Sequence, residues 1–369
     1  MDPSVRCISC VLPRSTRGLR FDQDGRCELC GKAAAGPSGE AAGGGSATIE
    51  EVMDRIRHRG RGRPYDCTMG LSGGRDSTYM LYELVREHRL RVLAVYYRTP
   101  FTPDAIDANV RRVTEKLGVD LEPMRISQER HRKVARGFAL AWKRSPIPEF
   151  ANLVCAPCKM VNHEMFRIAR RHRVPSVMVG GSQYEDFQFG AAQIIGRKDE
   201  DSAGTQALKL LKVVRKGMGL LLRHPEIIPQ VPLAFRAAVL YMAPHSIYLR
   251  VRYKGIDRYN YFRLKHWDEA ACNRILAEVG WELPPGCNST WKADCDMAEA
   301  KNAMFRQMRG LSYVEALFSN MIRAGAMSRS EALGRLAQEG RMSEERLARL
   351  TDALGLPRDF FADEVTSDS

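Results

Sequence analysis

An α/β protein with a doubly wound parallel sheet is what this sequence predicts, on three observations. A short apolar run, Cys67–Leu71, meets Ser72-Gly73-Gly74-Arg75-Asp76-Ser77 and then an amphipathic stretch to Glu87, the pattern of strand, glycine turn and helix. Further apolar runs at Arg91–Tyr97, Asp120–Ile126 and Ser176–Val179 alternate with helix-periodic segments, as a parallel sheet requires. With 369 residues, 44% of them hydrophobic, the chain can bury one sizeable α/β core and carry appendages.

Residues 1–30 hold Cys7-x2-Cys10 and Cys27-x2-Cys30. Two such knuckles suit four thiolates around one Zn²⁺, a zinc ribbon, and so short a segment has too little core to fold without metal. The set is closed, so the zinc is expected to be structural. Residues 31–47 (GKAAAGPSGEAAGGGSA) read as a flexible linker. Thr48-x-x-Glu51 is a capping box that opens a helix through Val52, Met53 and Ile56. The main α/β domain is expected over 48–196, an irregular insertion over 197–245, the remainder of the domain over 246–300, and a helical cap over 301–369. Within these, Ser246–Arg252 reads as a strand, Asp268 caps a helix to about Val279, and Val314–Met321 and Leu333–Leu350 carry apolar helix faces.

The glycine turn leaves backbone N–H groups at a helix N-terminus, where the dipole also favours an anion. Gly73 and Gly74 let a phosphate approach the main chain, and Ser72 and Ser77 can add hydroxyl donors. No GKS or GKT follows, so this is not a Walker A loop. SGGRDS resembles the SGGxDS loop of the PP-loop ATP pyrophosphatases, the superfamily of GMP synthetase, argininosuccinate synthetase and the tRNA thiolation enzymes. The resemblance implies that Leu71 through Ser77 hold the pyrophosphate end of ATP while a substrate oxygen attacks the α-phosphate, with Mg²⁺ neutralising charge. Ser72, Asp76 and Ser77 are then catalytic, Asp76 organising the loop or Mg²⁺, and Arg75, at the variable position, faces solvent. Ligands in doubly wound sheets sit beyond the strands' carboxyl ends. By that rule Tyr96–Arg98, Tyr97 among them, edge the adenosine pocket, and the turn Gly180-Gly181-Ser182-Gln183 approaches ATP or acceptor. Glu185 and Asp186 read either as Mg²⁺ or substrate contacts or as a solvated acidic pair.

Cys155, Cys158, Cys287 and Cys295 form a second set. Cys155-Ala156-Pro157-Cys158 alone suits a redox pair, a ligand pair or buried thiols. Three of the thiolates could hold an iron–sulfur cluster whose open iron binds sulfide, or all four a second zinc. Several tRNA thiolation enzymes pair a PP-loop with a CxxC and one distant cysteine around a [4Fe-4S] cluster, and Cys155, Cys158 and Cys295 match that order. Cys67 and Cys272 fall inside apolar elements and read as packing residues.

The chain as a whole resembles the N-acetyl sugar amidotransferases of bacterial surface-polysaccharide pathways. FDQDGRC within the first cysteine set, YDCTMGLSGGRDSTY, CAPC, STWKADC and SNMIRAGAMSRSEAL carry the likeness. It implies ATP-driven replacement of an amide oxygen on a nucleotide-linked sugar, with ammonia from a separate glutaminase. The segment after the second strand and the 200s depart from the family, which points to another small acceptor and leaves a sulfurtransferase, fed by a sulfur-carrier partner, as the alternative.

Composition bounds the remaining classes. No apolar run approaches the roughly 20 residues that cross a bilayer, and the first residues lack an apolar signal core, so a cytoplasmic location is expected. The net charge of +13 and pI near 9.4 admit RNA, tRNA included. The basic residues are nevertheless spread along the chain, and an RNA-binding module with a vestigial loop is the less favoured reading.

Overall fold

The computed structural model describes residues 5–34, 47–181, 184, 215, 217–233 and 247–362. Five strands, β1 (Cys67–Leu71), β2 (Val92–Tyr96), β3 (Asp120–Pro123), β4 (Ser176–Val179) and β5 (Asp257–Asn260), form one sheet in the order β3-β2-β1-β4-β5. Every pairing is parallel, with Cys67 opposite Val92, Thr68 opposite Val177, Leu93 opposite Asp120 and Ser176 opposite Asp257. The order reverses between β1 and β4, and the loop that follows β1 opens at that switch point. The α/β doubly wound class is therefore as expected.

The two faces of β1 and β2 separate cleanly. Cys67, Met69, Leu71, Val92, Ala94 and Tyr96 join one core with α2 (Ile49–Arg59), α3 (Arg75–Tyr82) and α4 (Asp104–Leu117). Leu93 and Val95 face the other, against α7 (Val161–Arg171). Both central strands are buried on both sides, which is why they read as continuous apolar runs. Edge strands need no such run. This explains the miss at β5: its sequence, DRYN, is half-exposed, and the strand expected at Ser246–Arg252 is instead the helix α8 (Ile247–Arg252). Leu249 and Tyr253, four apart, are buried together against Phe166, while Val251 is exposed, a helical rather than an alternating pattern.

Caps follow the sequence. Thr48 closes its capping box with Glu51, and Gly118 ends α4 with φ of +66°. A buried Asp66 accepts from the Arg91 backbone N–H at 2.8 Å and pairs with its guanidinium at 2.6 Å, tying the starts of β1 and β2. The predicted linker begins as helix, since α1 (Glu28–Ala34) runs into it; residues 35–46 lie outside the described residues.

A second core joins α5 (Gln128–Arg144) and α6 (Pro148–Leu153) to α10 (Met297–Arg309) and α13 (Glu344–Leu354). The expected face of Val314, Leu317, Phe318 and Met321 is buried on α11 (Tyr313–Arg323). On α12 (Arg329–Glu339) Leu333 is exposed and Ala332 carries the contact instead. Among the described residues no helix is long and apolar enough to cross a membrane.

Candidate nucleotide and thiol site

The loop after β1 needs its glycines. Gly73 has φ of +81°, and a Cβ there would lie 2.6 Å from the Ile106 Cγ2 and 2.7 Å from the Val110 Cγ2 of α4. Gly74 caps α3, and a Cβ on it would come within 3.2 Å of the Asp294 Cβ. The serines shape the turn between them. Ser77 Oγ donates to the Gly74 carbonyl at 3.0 Å and accepts from the Ser72 N–H at 3.2 Å, and Ser72 Oγ accepts from the Gly74 N–H at 3.3 Å. The N–H groups of the first turn of α3 have no partner within the helix. A polyanion is what such a turn holds best.

Arg75 corrects the expectation that it faces solvent. It is 2% exposed, with its guanidinium carbon 3.5 Å from the Trp291 ring centre and 4.6 Å from that of Trp267. Its Nε donates to Asp76 at 2.9 Å, and its Nη1 donates to Thr290 Oγ1 at 3.0 Å. Trp267 Nε1 also donates to Asp76 Oδ1, at 3.2 Å, so the carboxylate joins the start of α3 to Trp267. A third tryptophan, Trp281, donates to the Gly73 carbonyl at 2.8 Å. Tryptophans 267, 281 and 291, Thr290 and Asp294 all escaped the sequence reading as individuals. For Thr290, Trp291 and Asp294 the one signal was that STWKADC is among the stretches carrying the family resemblance; nothing in the sequence pointed to Trp267 or Trp281.

At the carboxyl end of β2 the side chains are already engaged. Tyr96 donates to Asp107, Arg98 pairs with Asp104 at 2.7 Å and with Asp107, and the Tyr97 hydroxyl bonds His131 Nδ1 at 2.8 Å. Beyond β4, a Cβ on Gly180 would meet Met80 and Phe262, while Gly181 borders open space. Ser182, Gln183, Glu185 and Asp186 lie outside the described residues.

Cys155, Cys158 and Cys295 line one cavity of about 530 Å³, together with Lys159, Lys301 and Trp291. Asp294 belongs to the same lining, so the segment from Trp291 to Cys295 is the wall between loop and cavity. Cys287 is not among the lining residues. Among the described residues the only group of metal-ligating atoms within 4.8 Å of one another is the N-terminal cysteine set, so Cys155, Cys158, Cys287 and Cys295 do not form the second tetrahedral zinc site. A cluster spreads its thiolates more widely than a single ion does, and three soft donors around one cavity with a fourth position open suit it. Burial pushes the Cys158 thiol well up, with Cys155 and Cys295 adding to it, and pushes Cys295 to about 12. His131, not singled out from sequence, stands behind Cys158 with Nε2 3.8 Å from its sulfur, and burial lowers its pKa to about 4.

The N-terminal set is assembled as the spacing requires. Cys7, Cys10, Cys27 and Cys30 are all buried, and Cys10 and Cys27 sulfurs lie 3.8 Å apart. Zn–S bonds of about 2.3 Å in tetrahedral geometry put ligand sulfurs roughly that far apart. The Cys27 N–H donates to Cys7 Sγ at 3.2 Å, and Arg323 Nη1 approaches Cys30 Sγ at 3.9 Å, supports that stabilise thiolates. These residues fit a zinc ion. The ribbon is docked by Arg6–Glu315 at 2.7 Å and by Arg329 Nε donating to the carbonyls of Cys7 and Cys10.

No protein-family model matches the chain, and no curated protein matches it in sequence. Solved structures similar to it include the U34-tRNA thiolase NcsA from Methanococcus maripaludis with its [4Fe-4S] cluster, at 15% identity over 87% of this chain and 86% of that one, with a TM-score of 0.34. NMN synthetase from Francisella tularensis aligns at 12% identity over 82% of this chain and 97% of that one, also with a TM-score of 0.34. Likeness this distant carries no functional argument, which has to come from the site.

Proposed function

We propose that this chain is an ATP-dependent enzyme of the PP-loop kind that activates an acceptor oxygen as its adenylate and replaces it with sulfur. The acceptor oxygen attacks the α-phosphorus, the bond to the β-phosphate oxygen breaks, and pyrophosphate leaves into the N–H groups between Ser72 and Ser77. A sulfur nucleophile then adds to the activated carbon and AMP departs with the original oxygen. Fixed N–H dipoles, already aimed, stabilise the leaving pyrophosphate without reorganisation. Asp294, whose carboxylate stands beside Gly74, suits Mg²⁺ better than Asp76, whose Oδ1 is held by Arg75 and Trp267. Cys155, Cys158 and Cys295 would hold an iron–sulfur cluster, whose chemistry when bound is to carry sulfide on an open iron. The four N-terminal cysteines would hold structural zinc.

The observation that carries sulfur as the incoming atom is the meeting of three cysteines, from two distant stretches, in a cavity walled by the segment that packs on the loop. An amidotransferase is the second reading, favoured by the sequence likeness that YDCTMGLSGGRDSTY, CAPC and STWKADC carry. Ammonia would then arrive from a glutaminase chain and the cysteines would be passive. Metal content and visible absorption of protein purified without oxygen separate the two. Iron, acid-labile sulfide and a brown colour lost in Cys155→Ala support sulfur transfer. About one zinc per chain and no visible band, with turnover surviving Cys155→Ala and Cys295→Ala, would overturn it in favour of ammonia.

A further inference from the structure

The guanidinium of Arg75 belongs to two structures at once. Its backbone is the first residue of α3, inside the anion loop, while its side chain lies against both Trp267 and Trp291, whose rings are themselves in contact with centroids 5.0 Å apart, and is bonded to Thr290. A half-buried chain of ion pairs extends from it. Arg75 Nη1 lies 3.5 Å from Glu269, Glu269 takes two bonds from Arg335 at 2.8 and 2.9 Å, and Arg335 bonds Glu339 at 2.6 Å. Glu339 accepts from Ser289, which returns these contacts to the segment that Arg75 touches. That segment has one residue in the left-handed region, Lys292 with φ of +53°, held from its other side by Arg346 Nη2 donating to the carbonyls of Lys292 and Cys295, both at 2.8 Å. A lysine in this conformation persists only where its surroundings impose it.

We propose that Arg75 is a positioning residue that transmits occupancy of the anion loop to the Cys295 segment. A loop backbone that closes on a polyanion carries the Arg75 side chain with it. The ring contacts and the Thr290 bond tie the 290–295 segment to that movement, and Asp294 stands so close that even a Cβ on Gly74 would come within 3.2 Å of it. The effect is to hold Cys295 more firmly in its cavity when the loop is filled. This rests on the reading that the loop binds ATP.

The test is amide hydrogen exchange of residues 287–296 in the full-length protein, with and without a non-hydrolysable ATP analogue or inorganic pyrophosphate, each titrated by tryptophan fluorescence. In the native protein either anion should slow exchange there by about fivefold or more. Arg75→Gln keeps the loop's backbone N–H groups while removing the side chain's contacts, and should bind the analogue within about tenfold of native yet show no slowing, because the connection to the 290–295 segment has been cut. Trp291→Phe keeps a ring under the guanidinium and should give an intermediate slowing; it serves as the reporter if Arg75→Gln does not fold. Native protein that binds the analogue without any slowing overturns the coupling, and so does slowing that persists in Arg75→Gln. Loss of analogue affinity by more than about tenfold in Arg75→Gln overturns it too, by making Arg75 part of the anion site. Native protein that binds neither anion overturns the ATP reading itself, a result distinguishable from the other three.

Discussion

Replacing Arg346 with methionine tests whether the helical region is part of the site's framework. Arg346 is 3% exposed and bonds Asp296 at 2.9 Å, Glu299 at 2.7 Å and the carbonyls of Lys292 and Cys295. Asp296 keeps a second partner, since Arg349 reaches it at 2.9 Å, so the charge left behind is that of Glu299. Removing one side of a buried pair typically costs about 3–5 kcal/mol, against about 0–1 for exposed pairs, so the loss should dominate any surface effect. Burial already raises the Glu299 pKa and Arg346 works against it, so the variant should raise it further. A carboxyl raised in the folded state disfavours folding once the unfolded chain ionises. The deficit therefore grows as pH climbs from about 4 through the folded pKa and is greatest at neutral pH. Denaturant melts of Arg346→Met at pH 7.5 and pH 5.5 should show a large loss that shrinks at the lower value, and adding Glu299→Gln should recover part of it at pH 7.5. A loss under about 1 kcal/mol, or one that is the same at both pH values, would refute the argument.

Other expectations follow from the same geometry. Gly73→Ala combines a left-handed backbone, about 1–2 kcal/mol, with collisions against Ile106 and Val110, and should lower the thermal midpoint and abolish analogue binding in a fluorescence titration. Cys27→Ser should break the four-cysteine metal site, so that a chromophoric chelator strips metal from the variant faster than from the native protein, and destabilise α11 as well, because Val11 bonds Ser319 and Arg6 pairs with Glu315 there; melts followed by circular dichroism would show it. With its pKa pushed down to about 4, His131 should give ring-proton resonances that do not titrate between pH 5 and 8, and a midpoint near 6.5 would contradict the buried Tyr97–His131 arrangement.

The sequence by itself determined the elements whose cause is local. Strand, glycine turn and helix at 67–82 are written in burial pattern and backbone freedom, and the gathering of Cys7, Cys10, Cys27 and Cys30 in the spacing of their knuckles. The helix caps at Thr48, Gly118 and Asp268 were legible for the same reason, because a cap is a contact within four residues. The tertiary structure alone decided what faces the loop. Arg75 read as a solvent residue because it occupies the variable position of the SGGxDS pattern. Two tryptophans from 192 and 216 positions downstream make a buried guanidinium favourable, and no periodicity announces such a pairing. The edge strand Asp257–Asn260 was hidden because an edge has no continuous apolar run to show. Likewise the sequence supplied cysteines in number, and only packing brought three of them to one cavity and left Cys287 outside it. Local order follows from the chain's own stereochemistry, whereas a site between distant segments is decided by how their cores pack together.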